Sequence, residues 1–281
     1  MRVLVDGDIV AYRCAASVAD EEPLEIALYR IDELMRQLLY NTQADIAHTW
    51  LSGNNNFRYQ IYPEYKANRK EMKRPAHLAA CKDFLTTEYG AIRPDIWEAD
   101  DALGYNQSDD TIIASIDKDL LMVHGNHHNW VKSLDTYVAP FDGLKHFYKQ
   151  MLIGDRSDNV VGIKGLGEKK SERMFANVET EQELFDQVYA LYNDPKRFLI
   201  NASVLWINQG ENNQTWEMHL RNTDLTLPDE LQPELDRISS FMKSLMDDTS
   251  TALGMNQTEI FGIPANGIGK DFMPQKNQDL T

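Results

Sequence analysis

A chain of 281 residues, 42% hydrophobic and 26% charged, has the balance of a globular protein with a buried core, arranged as one large domain or two modest ones. No stretch is apolar for long enough to span a bilayer, Asp6, Asp8 and Arg13 interrupt any N-terminal signal run, and Cys14 and Cys81 are too few for a disulfide framework, so the expected location is the cytoplasm. The formal net charge of −16 repels phosphates, so a nucleic-acid partner would need local basic surfaces.

Met1 to Val5 reads as a short buried strand ending at Asp6-Gly7-Asp8. Residues 23–40 carry Leu24, Ala27, Leu28, Ile31, Leu34 and Leu38 at helical spacing, which predicts an amphipathic helix. Ile46 to Leu51 is a second strand, closed by Ser52-Gly53 and three asparagines. Pro75 sits where it can open a helix running to about Tyr89, and a helix near 99–107 follows. The β-branched run Thr111 to Ile116 predicts a third buried strand. Alternation of strand and helix implies an α/β core with a mostly parallel sheet, whose ligands gather at the carboxyl ends of the strands. His124, His127 and His128 lack the spacing of a zinc motif and are expected in a polar loop. After about Pro140 strand signals stop. Lys145 to Ile153 looks helical, then a glycine-rich turn (154–170) leads to a helix through Phe175. Thr180 and Glu183 fit a capping box opening a helix to Tyr192. Trp206 and Trp216 are expected in a core, and the Gly-, Pro-, Asn- and Gln-rich residues beyond Gly254 in a loosely ordered tail.

The acids that interrupt apolar surroundings carry the chemistry. Asp6 follows Val3-Leu4-Val5, and Asp117 and Asp119 follow the third strand. Glu98, Asp100 and Asp101 lie in EADDALG, just before a helix. Acids in a first helical turn also offset the helix dipole, so EADD alone admits either role. Like charges at buried strand ends raise one another's energy unless a cation is present. An all-oxygen donor set points to Mg²⁺ or Mn²⁺ rather than zinc, and two such ions suit displacement at phosphorus.

Residues 177–281 hold 17 acids and 7 bases, and residues 1–176 hold 27 and 21. The main local basic surface is Lys66, Arg69, Lys70, Lys73 and Arg74, against the single acid Glu71. Such a run is commonly a solvated face. Tyr59, Tyr62 and Tyr65 interleave with it and offer rings for base stacking, or packing. In GIKGLGEKK, Gly162, Gly165 and Gly167 precede a helix, with Lys164, Lys169 and Lys170 adding charge. This fits a tight turn and equally a close approach to phosphate.

In order along the chain come VDGDIVAYR (5–13), FRYQIYPEYKANRK (57–70), EADDALG (98–104), SIDKDLL (115–121) and GDRSDNVVGIKGLGEKK (154–170). Together they resemble the flap endonuclease and 5′→3′ exonuclease family, over roughly residues 1–205. That family includes stand-alone bacteriophage exonucleases and the N-terminal nuclease domain of bacterial DNA polymerase I. The resemblance implies a PIN-like core at 1–140 with a basic arch at about 57–80. It further implies a helix–three-turn–helix DNA-binding region at 141–205 and a C-terminal region at 206–281.

By resemblance, Asp6, Glu98 and Asp100 match ligands of one Mg²⁺ or Mn²⁺ ion. Asp101, Asp117, Asp119, Asp155 and Asp158 match those around a second. Tyr12 matches an aromatic stacking on a base beside the scissile phosphate. Lys66 and Arg69 match the arch pair that neutralises the phosphate, and the glycine turn matches a site for duplex backbone and K⁺. The implied activity is two-metal hydrolysis at a 5′ end or flap, removing RNA primers, flaps or 5′ ends in replication. The host cytoplasm is the location if the chain is phage-encoded. Replication proteins are possible partners, and nothing demands more than a monomer. One departure stands out: Ser52 occupies the position where many relatives have a metal-binding Asp. Asp8, two residues from Asp6, is a candidate substitute ligand or a helix-cap acid. Two other readings stay open, a DNA-structure-binding protein with weakened catalysis and a PIN-type ribonuclease.

Overall fold

β1 (Arg2–Asp6) is the hub of a five-stranded sheet, and Val3, Leu4 and Val5 are wholly buried on its two faces. Such a strand must be covered on both sides, and a run of β-branched and aliphatic residues suits it. The computed structural model describes residues 1–211 and 213–253. With β2 (Ile46–Trp50), β3 (Thr111–Ala114), β4 (Gly125–Asn129) and β5 (Leu134–Val138), the order is β2-β1-β3-β4-β5. The first four strands are parallel and β5 is antiparallel to β4. The expected tail beyond Gly254 lies outside the described residues.

Side-chain alternation sorts the two faces. Val3, Val5, Ile112 and Ala114 face α1 (Gly7–Ala16), α2 (Leu24–Thr42) and α4 (Leu78–Tyr89). In α2 the buried stripe is Ala27, Ile31, Met35 and Leu38, one helical face. Leu4, Trp50 and Ile113 face a second core that contains α5 (Ala99–Asn106) and α6 (Pro140–Ile153). That core continues through α8 (Glu181–Tyr192), α9 (Pro195–Leu205), α10 (Trp216–Arg221) and α11 (Gln232–Leu253). Trp206 and Trp216 are buried in it, as their apolar setting suggested.

α6 ends at a two-residue hairpin, β6 (Gly154–Asp155) against β7 (Val160–Val161), and the glycine turn leads into α7 (Glu168–Met174). α8 begins with the expected capping box: Glu183 N–H donates to Thr180 Oγ1 at 3.3 Å, and Thr180 N–H to Glu183 Oε2 at 3.1 Å.

The polar segment 124–128, expected as a loop, is instead mostly strand. β3 supplies a parallel ladder to β4, and one ring nitrogen of each of its two histidines finds a local partner. His127 Nε2 lies 2.8 Å from the Val123 carbonyl, and His128 Nδ1 lies 2.6 Å from Asp135 Oδ1 across the β4–β5 pair. Tertiary pairing has overridden composition here. The basic run 66–74 forms only a 3₁₀ turn at Ala67–Arg69, after the one-turn helix α3 (Arg58–Ile61).

Candidate metal centre

The carboxyl ends of β1 and β3, the start of α5 and the β6–β7 hairpin meet in one acidic site. Asp6 closes β1 and caps α1, accepting from Ile9 N–H at 3.1 Å, and Ser115 Oγ donates to its other oxygen at 3.0 Å. Burial, followed by repulsion from Asp8 and Asp117, pushes the Asp6 carboxyl up to about 7. Burial and the charges of Asp6, Asp117 and Glu98 push Asp100 well above the usual carboxylate range. Asp119 rises to about 8 through burial and then Asp117, Asp155 and Asp158, and it shares a hydrogen bond with Asp155. Burial also raises Asp158, against the pull of Lys66. Asp117 is thus common to both halves of one network that joins Asp6, Glu98, Asp100, Asp119, Asp155 and Asp158.

Two of these acids are already neutralised by the chain. Burial alone would raise Glu98, but Lys66 and then Arg58 beside it bring it down to about 2. Lys66 Nζ is ion-paired to Glu98 Oε1 and lies 3.6 Å from Asp158 Oδ2. Arg69 reaches Asp158 Oδ1 at 2.5 Å. The backbone adds to this grip, since Lys66, at φ 55°, donates its N–H to the Asp158 carbonyl at 2.9 Å. Tyr65, grouped by sequence with rings available for stacking, is buried. Its hydroxyl bridges Glu98 Oε2 at 2.8 Å and Asp158 Oδ2 at 2.6 Å, so it positions acids and offers no face to a base.

Asp101 does not belong with the metal candidates. It is wholly buried, and its two oxygens accept from Arg58 Nη1 and Nη2 at 2.6 and 2.8 Å, Glu98 N–H at 3.0 Å and Asn208 N–H at 3.2 Å. Four donors saturate a carboxylate. Arg58 also donates to the carbonyls of Val204 (2.9 Å) and Trp206 (2.7 Å). The pair therefore ties α3 and the start of α5 to the end of α9. A lone arginine among aromatics carries no periodic signal, so the FR-x-x-x-Y setting of Arg58 is the only cue to it in the sequence.

Ser52 Oγ accepts from Ala99 N–H at 3.1 Å, capping α5. Asp8 is held by Ser52 N–H at 2.8 Å and Lys82 Nζ at 2.5 Å. It repels Asp6, yet both its oxygens are engaged away from the cluster, which disfavours it as a substitute ligand. Asp119 Oδ1 accepts from the Gln150 amide.

Among the described residues, no three of these acids converge closely enough to ligate one ion as they stand. Two of the acids are instead held by cations of the chain, Glu98 by Lys66 and Asp158 by Arg69. The chemistry of the donor set nonetheless fits a hard cation. It is all carboxylate, largely buried, and mutually repulsive at neutral pH.

Tyr12 is 47% exposed on α1. Lys70, Lys73 and Arg74 are exposed, and Lys73 is paired with Asp20 rather than with the site. Lys164, Lys169 and Lys170 are exposed, and Lys170 Nζ donates to the Gly165 carbonyl at 2.7 Å. Gly165 (φ +82°) and Gly167 have nothing within 4 Å of an added Cβ, so a ligand could lie against them. Gly162 differs: an added Cβ would meet the Ile153 carbonyl carbon at 2.2 Å, so this glycine serves packing rather than approach to phosphate.

Comparison with known proteins follows the same lines. The family model for the 5′-3′ exonuclease N-terminal resolvase-like domain matches residues 1–150. Flap endonuclease Xni of Shewanella baltica (strain OS185) is 26% identical over 204 residues, covering 66% of this chain and 78% of that protein. DNA polymerase I of Chloroflexus aurantiacus is 26% identical over 302 residues, covering 95% of this chain. The chain spans only 30% of that polymerase's length. Among solved structures, zinc-bound T5 5′-exonuclease aligns with a TM-score of 0.60 at 16% identity, over 73% of this chain and 89% of that one. T5 D15 protein co-crystallised with metal ions gives 0.59 at 16%, over 73% and 88%. At such identities the likeness establishes a shared fold, that of the PIN-like 5′ nucleases.

Proposed function

Since the chain belongs to the 5′-3′ exonuclease family through its N-terminal resolvase-like domain, we propose that it is a metal-dependent, structure-selective 5′ nuclease acting on DNA at 5′ ends and flaps. The observation that carries this is the single network of seven acids, from four separate segments at the ends of β1 and β3, in which burial and acidic neighbours raise the proton affinity of Asp6, Asp100 and Asp119. Asp6, Glu98 and Asp100 would hold one divalent cation, and Asp117, Asp119, Asp155 and Asp158 a second. Mg²⁺ or Mn²⁺ there supplies an activated water and neutralises charge on the leaving oxygen.

The chain's own residues supply the rest. Lys66 and Arg69 sit between the acids and solvent, where an arriving phosphate draws their charge away from Glu98 and Asp158. Tyr65 keeps those two acids oriented. Tyr12 offers an exposed ring to a base next to the cut. Exposed Lys164, Lys169 and Lys170 beside open Gly165 and Gly167 suit duplex backbone, and the turn's carbonyls suit K⁺. Contacts of this kind read no sequence, which fits a protein that selects substrate by shape. An RNA–DNA primer junction presents the same 5′ end and is included among the substrates. Replication proteins are the natural partners of a chain acting there as a monomer.

The test replaces both Asp117 and Asp119 by alanine. Mg²⁺-dependent cleavage of a 5′-flap duplex should fall by about a thousandfold, the several kcal/mol that metal-held charge is worth. Undiminished cleavage would refute the mechanism. A second reading, a DNA-structure-binding protein with weakened catalysis, is favoured by Ser52, whose hydroxyl is engaged with α5 where relatives carry a carboxylate. Tight binding of flapped DNA with no turnover in Mg²⁺ or Mn²⁺ would select it.

A further inference from the structure

One face of α6 lies along the segment that bears Asp119. Gly143, His146 and Gln150, spaced three and four apart, share that face. At Gly143 the helix approaches so closely that an added Cβ would meet the Met122 carbonyl oxygen at 2.4 Å. One turn on, the His146 ring is hydrogen-bonded to the Lys118 carbonyl. One turn further, the Gln150 amide donates to Asp119 Oδ1. The same helix then runs directly into Gly154-Asp155, so it carries one candidate ligand and grips another.

The chemistry of Gln150 is informative. The residue is 8% exposed, and its Oε1 has no hydrogen-bond partner among the described residues. A buried unpaired carbonyl costs free energy that an apolar side chain of equal size would avoid. The polar residue is therefore explained by its other end, the N–H aimed at the carboxylate. A fixed donor on one oxygen sets the plane of the Asp119 carboxyl and leaves Oδ2 directed elsewhere.

We propose that Gln150 is a positioning residue for the divalent-cation site: it orients Asp119, while Gly143 and His146 seat the 118–122 segment against α6. This rests on the reading of Asp119 as a cation ligand. Groups that orient ligands from behind typically change metal affinity by about 10–100-fold when removed.

The experiment measures Mn²⁺ binding to the full chain without DNA, by electron paramagnetic resonance of free Mn²⁺, for wild type and Gln150→Met. Flap cleavage against Mg²⁺ concentration is recorded in parallel. The dissociation constant for Mn²⁺ should rise about 10–100-fold, and the Mg²⁺ concentration for half-maximal cleavage should rise with it. A purely structural role would lower the melting temperature and leave both metal curves in place. In an Asp119→Asn background, Gln150→Met should add no further loss of Mn²⁺ binding, because the amide acts through that carboxylate. If Gln150→Met does not melt cooperatively, Gln150→Asn, too short to reach Asp119, carries the same expectation. Equal Mn²⁺ affinity of the folded variant and wild type, or an additive loss in the Asp119→Asn background, would overturn the inference. A wild-type chain with no Mn²⁺ affinity would instead overturn the nuclease reading on which it stands.

Discussion

Raising the pH of the metal-free protein should destabilise it, and Mg²⁺ should abolish that loss. Asp6 and Asp119 are held near 7 and 8 by burial and by each other's neighbours, whereas an unfolded aspartate ionises near 4. Above pH 5 the unfolded chain has released these protons and the folded chain keeps them, so stability falls as pH rises through the folded values. From pH 7 to 8.5, ionising Asp119 costs about 1.3 kcal/mol and Asp6, already half ionised at pH 7, about 0.4 kcal/mol more. Glu98, held near 2, contributes stability that is already complete above its unfolded value and flat across this range. Burial pushes Cys14 up to about 11 and His146 down to about 4, a pH dependence that is the same with or without metal, so the readout is the difference between melts in Mg²⁺ and in EDTA. That difference should widen by about 3–7 °C between pH 7 and 8.5, because bound cations let the acids ionise without penalty. A gap between the two melts that stays constant with pH, or narrows, would refute the premise that these acids are forced together.

Two substitutions test the assignments made around that cluster. Asp101→Ala leaves Arg58 buried and unpaired, and should cost about 3–5 kcal/mol of stability in metal-free chemical denaturation; weaker Mn²⁺ binding with unaltered stability would restore Asp101 as a ligand. Lys66→Met should tighten Mn²⁺ binding to the DNA-free protein by about tenfold, since a charged hydrogen bond to Glu98 no longer competes, while slowing flap cleavage; loosened Mn²⁺ binding would contradict the ion pair's role.

Much of this arrangement was legible in the residues. Buried runs such as Val3-Leu4-Val5 and Thr111 to Ala114 marked the central strands, and the acids that end or follow them marked the site. The capping box at Thr180 was readable because its signature is local. What escaped reading depended on distant partners. β4 is built from His127 and His128, whose burial is tolerated only because Val123 and Asp135 accept their hydrogen bonds. Asp101 sits in the same tetrapeptide as Glu98 and Asp100, and only the arrival of Arg58 from 43 residues away separates its role from theirs. Tyr65 and Lys66 are neighbours in a basic, aromatic run that suggests a nucleic-acid surface. The fold turns both inward onto Glu98 and Asp158. Gln150 carried no sequence signal at all, since a glutamine on a helix is ordinary until its amide meets a carboxylate.

The most direct test is anomalous scattering from a crystal equilibrated with Mn²⁺. Two peaks about 4 Å apart are expected, one against Asp6, Glu98 and Asp100, the other against Asp119, Asp155 and Asp158, with Asp117 between them. Mn²⁺ that binds in solution yet scatters only from sites away from these residues would contradict the account.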